Sequence, residues 1–341
     1  MKLGDLTTPA LVVDRVLLDA NIAEMAAVRP GARMRPHVKA FKSTELARRV
    51  AELGGHRHFC CATLLEMEGL ARAGLGDDLL LANETLDADR LGALVRSGSA
   101  RVTVAVDSRE TLAVAAAAGA EVLVDVDVGL PRCGCEPTEA GALAEAARAA
   151  GVSVRGVMGY EGHTVSNPDR GARAEAVEES MALLRRAAGD VGGGITSAGG
   201  TGTFDMHAST DEVQAGSYLL MDTHYDALDL PFGLALSIET TVLSVSRKGW
   251  FVLDCGLKSL GMDHGVPRVP GGEVFFCSDE HTTVIPSAGT PPPAVGSRVR
   301  VLPAHVDPTV AYHATLHLVD GSDDAGDTEV LESWPVDLRG W

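Results

Sequence analysis

From about residue 17 to residue 230 the chain alternates short β-branched runs with stretches rich in Ala, Leu, Glu and Arg, and this rhythm restricts the fold more than any other feature. Candidate strands lie at 33–38, 58–62, 78–82, 101–106, 121–126, 153–158, 194–198 and 213–217. Helical patterns fall between them, for example at 43–53, 64–73, 109–118, 138–149 and 170–188. Eight βα units at a mean spacing of about 25 residues meet the requirement of a (β/α)8 TIM barrel, an α/β fold with a parallel sheet. A doubly wound open sheet is the competing architecture. It predicts a glycine-rich turn after the first strand, and that turn here is Lys39-Ala40-Phe41-Lys42.

After Leu230-Pro231-Phe232-Gly233 the helical period disappears. Strand-like runs follow at 235–245, 250–254, 273–276, 282–285, 298–302 and 312–319, separated by turns. Pro291-Pro292-Pro293 marks a loop, and residues 320–327 read as an acidic turn. The expected organisation is a barrel over 15–232 and an all-β domain over 233–341, with the strand-like run 8–13 joining that second domain from the N-terminal side.

The segment Arg35-Pro36-His37-Val38-Lys39 stands in the predicted first strand. Alternation puts Arg35, His37 and Lys39 on one face, and the inward face of a closed barrel is normally filled by Val, Ile and Leu. Cationic groups there are costly without partners. A lysine at the inner end of such a strand is a Schiff-base candidate, because desolvation and neighbouring cations lower its pKa. An exposed edge strand with a solvated lysine is the alternative.

Composition removes several classes of function. A net charge of −18 argues against nucleic acid as the main partner, which requires a basic footprint. The first fourteen residues show no apolar run preceded by positive charge, so no signal peptide is expected. No stretch of about twenty apolar residues exists, so no membrane partner is expected. The six cysteines form no framework: Cys60 and Cys61 are adjacent, Cys133 and Cys135 are too close for ordinary zinc spacing, and Cys255 and Cys277 stand alone. Reduced thiols in a cytoplasmic protein are the expectation.

Active sites of barrels gather at the C-terminal ends of the strands, and here those ends are polar. Lys39, Asn83, Asp107 and Arg132 follow the first, third, fourth and fifth strands. Tyr160, Glu161 and His163 follow the sixth, Gly199-Gly200-Thr201-Gly202-Thr203 the seventh, and Gly216-Ser217-Tyr218 ends the eighth. Asp107-Ser108 reads better as a helix N-cap than as a catalytic acid. Glycine-rich loops after strands seven and eight are a recurrent phosphate position, with backbone N–H groups and hydroxyls as donors. A phosphate site together with a Schiff-base lysine points to pyridoxal 5′-phosphate. In the second domain, Pro303-Ala304-His305-Val306-Asp307-Pro308-Thr309 places an imidazole and a carboxylate two apart in a segment expected to be extended. That is half of a divalent-metal site, or alternatively a plain His–Asp hydrogen bond. His313 and His317 read as surface residues.

With these motifs assembled, the chain resembles the D-threonine aldolase and D-serine dehydratase group of the alanine-racemase-like, fold type III pyridoxal-phosphate enzymes. The resemblance rests on the strand ending in Lys39, on Val126-Asp127-Val128-Gly129 leading to Arg132-Cys133-Gly134, and on Gly159-Tyr160-Glu161-Gly162-His163. It continues through Ser197-Ala198-Gly199-Gly200-Thr201-Gly202-Thr203, Gln214-Ala215-Gly216-Ser217-Tyr218 with Met221-Asp222, and His305-Val306-Asp307-Pro308-Thr309. By resemblance, Lys39 carries the cofactor with His37 beside it. Residues 200–203 (Gly200, Thr201 and Gly202 among them) and 216–218 cradle its phosphate, and Arg132 faces its phenolic oxygen. Tyr160 and Gln214 lie near its ring, and His305 and Asp307 form the metal pair. The resemblance also implies a homodimer.

Two departures stand out. The family continues its lysine strand with Thr-His-Lys, where this chain has Ala40-Phe41-Lys42. It often has Val-Asn-Leu-His after Pro-Thr, where this chain has Val310-Ala311-Tyr312-His313. Dehydratase members tend to carry Cys at the second metal position. Asp307 is the aldolase-like choice, and its hard oxygen suits Mn²⁺ or Mg²⁺ above Zn²⁺. The expected activity is cleavage of a D-β-hydroxy-α-amino acid to glycine, or a related amino acid, and an aldehyde, with His163 as a base. Dehydration of a D-3-hydroxy amino acid is the runner-up. An amino-acid racemase or a non-catalytic pyridoxal-phosphate carrier ranks below it.

Overall fold

The structure, a computed structural model, describes residues 1–321 and 327–341. Most of the expected acidic turn at 320–327 lies outside the described residues. The chain forms two compact units: one comprises Met25–Lys39, Ala47–Gly216 and Leu338–Trp341, the other Met1–Glu24, Ala40–Leu46 and Ser217–Asp337.

The first unit is built on a parallel sheet of seven strands paired in chain order. They are His58–Cys61, Asp78–Leu81, Val102–Val106, Glu121–Asp125, Val154–Gly159, Ile195–Ala198 and Glu212–Val213. Strands covered on both faces read as unbroken apolar runs rather than alternating ones, and every residue of Asp78–Leu81 and Val102–Val106 is buried. Leu80, Ala105, Leu123 and Met158 pack together as the core of this sheet. The intervening helices start where the sequence offers caps. Thr63 and Glu66 form a reciprocal capping box, Ser108 accepts from the Thr111 amide, and Asp169 accepts from the Ala172 amide. Gly98 and Gly119 end two of the helices in the left-handed region, which costs a residue without Cβ little.

The first predicted strand is not a regular strand. A 3₁₀ turn at Gly31–Arg33 leads into an extended piece that touches its neighbours only through isolated bridges, Met34 to Val213 and His37 to Cys60. A second 3₁₀ turn, Val38–Ala40, carries Lys39. The amides of Arg35 and His37 reach Val213 and Ala215, and the carbonyl of Pro36 accepts from Cys60. Pro36 itself has no N–H to return to the strand holding Cys60, so the ladder on that side breaks. The eighth strand is also shortened to Glu212–Val213, and a 3₁₀ turn occupies Ser217–Leu219. The regular sheet therefore has seven strands, not the eight of a fully closed (β/α)8 barrel.

Of the three residues expected on one inward face, Arg35 and His37 are buried and Lys39 is not. Arg35 is buried at the N-terminal ends of the strands, 2.7 Å from Glu212 and 3.1 Å from Asp78. Arg155 lies 2.7 Å from the same Asp78. Burial alone raises the Asp78 carboxyl, but the hydrogen bond from Arg155 and the charge of Arg35 outweigh it and hold it below the ordinary range. Lys39, beyond the bridge to Cys60, is exposed.

The second unit is a mixed sheet in the order Gly272–Cys277, Thr282–Pro286, Phe251–Leu253, Leu236–Val245, Ala10–Asp14, Thr315–Val319, Val330–Pro335, with Arg298–Val301 also paired to Leu236–Val245. Ala10–Asp14 runs parallel to Thr315–Val319 and antiparallel to Leu236–Val245, so the N-terminal strand joins this sheet as expected. The segment around His305 is not extended. His305 is the N-cap of a helix, Val306–Tyr312, and Pro308 sits in its first turn, where a missing N–H breaks no helical bond. His313 is buried, with Nε2 3.0 Å from the Ser259 carbonyl, and is not a surface residue. Among the described residues, no helix is long and apolar enough to cross a membrane.

Candidate active site

In the parallel-sheet unit, most of the predicted residues lie in loops at the C-terminal ends of the strands. After Ile195–Ala198 the chain turns through Gly199, whose φ of +88° favours glycine, and Gly200 into a short 3₁₀ turn, Thr201–Thr203. Thr201, Gly202 and Thr203 are buried. A Cβ placed on Gly200 lies 3.2 Å from the Tyr160 ring, so this turn is tight against its neighbour. Gln214 bridges two strands: its amide donates to Ser197 Oγ at 2.8 Å and its carbonyl accepts from Cys60 Sγ at 3.1 Å. His37 is buried and Gly216 is buried. The Arg132 guanidinium lies 5.5 Å from the centre of the Tyr160 ring, a cation–π distance. His163 is exposed, and its ring lies so close to Gly129 that a Cβ there would be 2.9 Å from Cε1.

Two features of this unit escaped the sequence. Glu161 is fully buried and its carboxylate accepts from the Gly199 amide at 3.2 Å, Thr203 Oγ1 at 2.6 Å and His207 Nε2 at 2.8 Å. Burial works to raise this carboxyl, but the hydrogen bonds from His207 and Thr203 prevail and hold it below its ordinary range. Its place beside Tyr160 in the sixth loop was legible. Its buried partner His207, 46 residues further along, was not. The second feature is a set of ligand-type atoms on Glu84, Asp107 and Cys133, all within 4.8 Å of one another. Burial and the neighbouring Glu84 push the adjacent Asp125 carboxyl well up. Asn83 has a structural contact, donating to the Ala62 carbonyl, and Ser108 is the N-cap while Asp107 accepts from Thr111 Oγ1.

In the second unit, Ser217 is partly exposed and Tyr218 is buried, its ring 5.5 Å from that of Phe232. Burial raises the Tyr218 phenol. His305 and Asp307 do meet, with 3.8 Å between Nε2 and Oδ2. They do so across the start of a helix rather than along a strand. Asp263 and His264, which the sequence did not single out, complete the cluster. Asp263 Oδ2 lies 2.8 Å from His305 Nδ1, and the His264 ring stacks on His305 at 3.8 Å with 12° between planes. His224 follows 4.5 Å beyond His264. The only local signal was the doublet Asp263-His264 before Gly265. Asp222 caps two helices, accepting from the amides of Tyr225 and Val306, and so aligns the His305 end of the helix. Lys42 donates to the Asp307 carbonyl at 2.9 Å.

These groups fit the two expected ligands. Backbone turns free of Cβ, threonine hydroxyls, an exposed lysine and an arginine suit a phosphate ester with a reactive carbonyl. Two ligand atoms each about 2.1 Å from one cation can be up to about 4.2 Å apart, so the His305–Asp307 spacing admits an ion. Asp263 on Nδ1 leaves Nε2 to face it, the arrangement by which a carboxylate orients a metal-binding imidazole.

Comparisons with known proteins agree with this composition. Residues 13–224 match the family described as alanine racemase, N-terminal domain, and residues 235–319 the family described as putative serine dehydratase domain. A D-threonine aldolase from Arthrobacter sp is 34% identical across 99% of this chain and 94% of its own. A 3-hydroxy-D-aspartate aldolase from Paracoccus denitrificans (strain Pd 1222) is 33% identical across 100% and 94%. Among solved structures, D-threonine aldolase from Filomicrobium marinum superposes with a TM-score of 0.88 at 33% identity, covering 99% of this chain and 96% of that one.

Proposed function

Since the chain belongs to the D-threonine aldolase family, built on an alanine-racemase-type N-terminal domain, we propose that it is a lyase that uses pyridoxal phosphate and a divalent cation to cleave D-β-hydroxy-α-amino acids. The products are glycine, or a related amino acid, and an aldehyde. The observation that carries the aldolase reading is the oxygen donor at position 307, facing His305 Nε2. A carboxylate–imidazole pair suits Mn²⁺ or Mg²⁺, with Zn²⁺ as the softer alternative. The two family matches, 13–224 and 235–319, support 15–232 and 233–341 as the inherited modules.

When bound, pyridoxal phosphate supplies an electron sink for the charge left on Cα, and the cation supplies Lewis acidity to the β-hydroxyl. Lys39 is the amine that holds the cofactor. The turn at Gly200, Thr201 and Gly202, with Gly216, Ser217 and Tyr218, holds its phosphate. Arg132, 5.5 Å from the Tyr160 ring, would bind its phenolic oxygen, and Tyr160, Gln214 and His37 would line its ring. His163, exposed beside Gly129, removes the β-hydroxyl proton as the aldehyde forms. One proton returns to Cα, so the atoms of the amino acid are all accounted for in glycine and aldehyde.

A dehydratase of D-3-hydroxy amino acids remains the second reading, favoured by the family match over 235–319. The deciding experiment supplies the purified protein, with pyridoxal phosphate and Mn²⁺, with D-threonine, D-serine or D-3-hydroxyaspartate. Aldehyde plus glycine supports the aldolase. Keto acid plus ammonia as the main products overturns it in favour of the dehydratase. We also propose a cytoplasmic homodimer, checked by light scattering on the eluting protein, where a monomeric mass at working concentration would refute it.

A further inference from the structure

Glu161, Thr203 and His207 are fully buried, and the Glu161 carboxylate takes its donors from both flanks of one short turn. Gly199 and Thr203 are the residues immediately outside Gly200, Thr201 and Gly202. Holding both therefore fixes the two ends of that turn. The Gly200 amide also donates to Thr203 Oγ1 at 3.2 Å, so this hydroxyl links the carboxylate to the loop backbone. His207 supplies the third donor, and among the described residues its Nδ1 has no hydrogen-bond partner, so Nε2 is the nitrogen committed to Glu161. The His207 ring also fills the space beside Gly199, where a Cβ would lie 2.9 Å from it. A buried carboxylate is costly unless its oxygens are hydrogen-bonded. Here it receives three donors and returns a fixed backbone.

We infer that Glu161 and His207 are positioning residues that hold the glycine turn in the shape that receives the cofactor's phosphate, with Thr203 Oγ1 as the link. This rests on the reading of that turn as a phosphate cradle. Neither residue touches the cofactor's ring or the substrate in this role. Their removal should therefore reduce phosphate recognition specifically.

The test compares binding of pyridoxal 5′-phosphate with binding of pyridoxal, which lacks the phosphate, by the cofactor-stripped full-length protein, read from absorbance titrations. Wild type, Glu161→Gln, His207→Gln, Thr203→Val and Thr203→Ser are measured alongside their thermal midpoints. Expected are a loss of tenfold or more in pyridoxal phosphate affinity for Glu161→Gln and Thr203→Val, unchanged pyridoxal affinity, and near-complete rescue in Thr203→Ser. If Glu161→Gln fails to fold, the Thr203 pair decides the outcome. Equal losses for both ligands, or no loss for either, overturn the inference. A wild type that binds pyridoxal as tightly as pyridoxal phosphate removes the cradle itself, and the inference with it.

Discussion

The glycine turn of the parallel-sheet unit and the histidine–carboxylate cluster of the second unit are both built on imidazole–carboxylate contacts, but they are made differently. Glu161 and His207 have no exposed surface, and their hydrogen bonds close within the protein. In the other cluster the Asp263 side chain is 58% exposed and that of His305 19%. A buried charge must be satisfied by the fold itself, so its geometry is preset. The Asp263 carboxylate is screened and exchanges partners with water, while His305 and Asp307, at 19% and 16%, are partly open to it. The contrast predicts that chelators strip activity while leaving the cofactor in place.

The largest effect that can break this contrast is at Lys39. Lys39→Ala should lower cleavage by about a thousandfold or more, and borohydride should no longer fix the cofactor to the peptide carrying residue 39. Label on Lys42 in the wild type would relocate the site to a residue now bonded to the Asp307 carbonyl. Next come the cation's own partners. EDTA should abolish turnover with the cofactor absorbance intact, and Mn²⁺ or Mg²⁺ should restore it. Asp307→Ala should weaken Mn²⁺ binding, read by electron paramagnetic resonance, by more than about a hundredfold, beyond what an outer partner costs. Asp307→Cys should move preference towards Zn²⁺. Full activity of Asp307→Ala in EDTA would take the metal out of the mechanism.

Asp263 sharpens the comparison at smaller scale. Asp263→Ala should cost about tenfold in Mn²⁺ affinity, because the carboxylate only orients His305. An effect as large as that of Asp307→Ala would make it a direct ligand instead.

The smallest effect is on stability. Burial pushes Glu239, in the strand Leu236–Val245, up to about 7 despite the nearby Arg300 and Arg298. An unfolded glutamate ionises near about 4.3. The folded form thus keeps its proton over a range where the unfolded form has lost it, so the stability linked to this proton is complete in acid and lost as pH rises through about 7. Glu239→Gln should flatten that decline in the thermal midpoint between acid and alkaline buffers. An unchanged slope would place the pH sensitivity elsewhere.

Most of the parallel-sheet strands, the helices at Leu64–Arg72 and Arg109–Ala118, and the N-terminal strand's place in the second sheet were legible because each follows from local periodicity, capping residues or turn residues. Candidate site residues were legible where a short motif carried the chemistry proposed for them, as at Lys39, Gly200 and His305. It was obscure where the partner lay far along the chain. Pro36 also misled: its neighbours alternate like a strand, yet one missing N–H reduces the segment to isolated bridges. Pro308 misled the other way, suggesting a stiff extended segment where it is a first-turn residue of a helix.

By itself the sequence determined the α/β class, the family and the residue types at each strand end, since these depend on patterns a few residues long. Only the tertiary structure decided that Glu161 meets His207, that Asp263 meets His305, and that Arg35 pairs with Glu212 and Asp78. Each of these contacts joins residues many positions apart. Their energy comes from burial and from the direction of the hydrogen bonds, which no local pattern records.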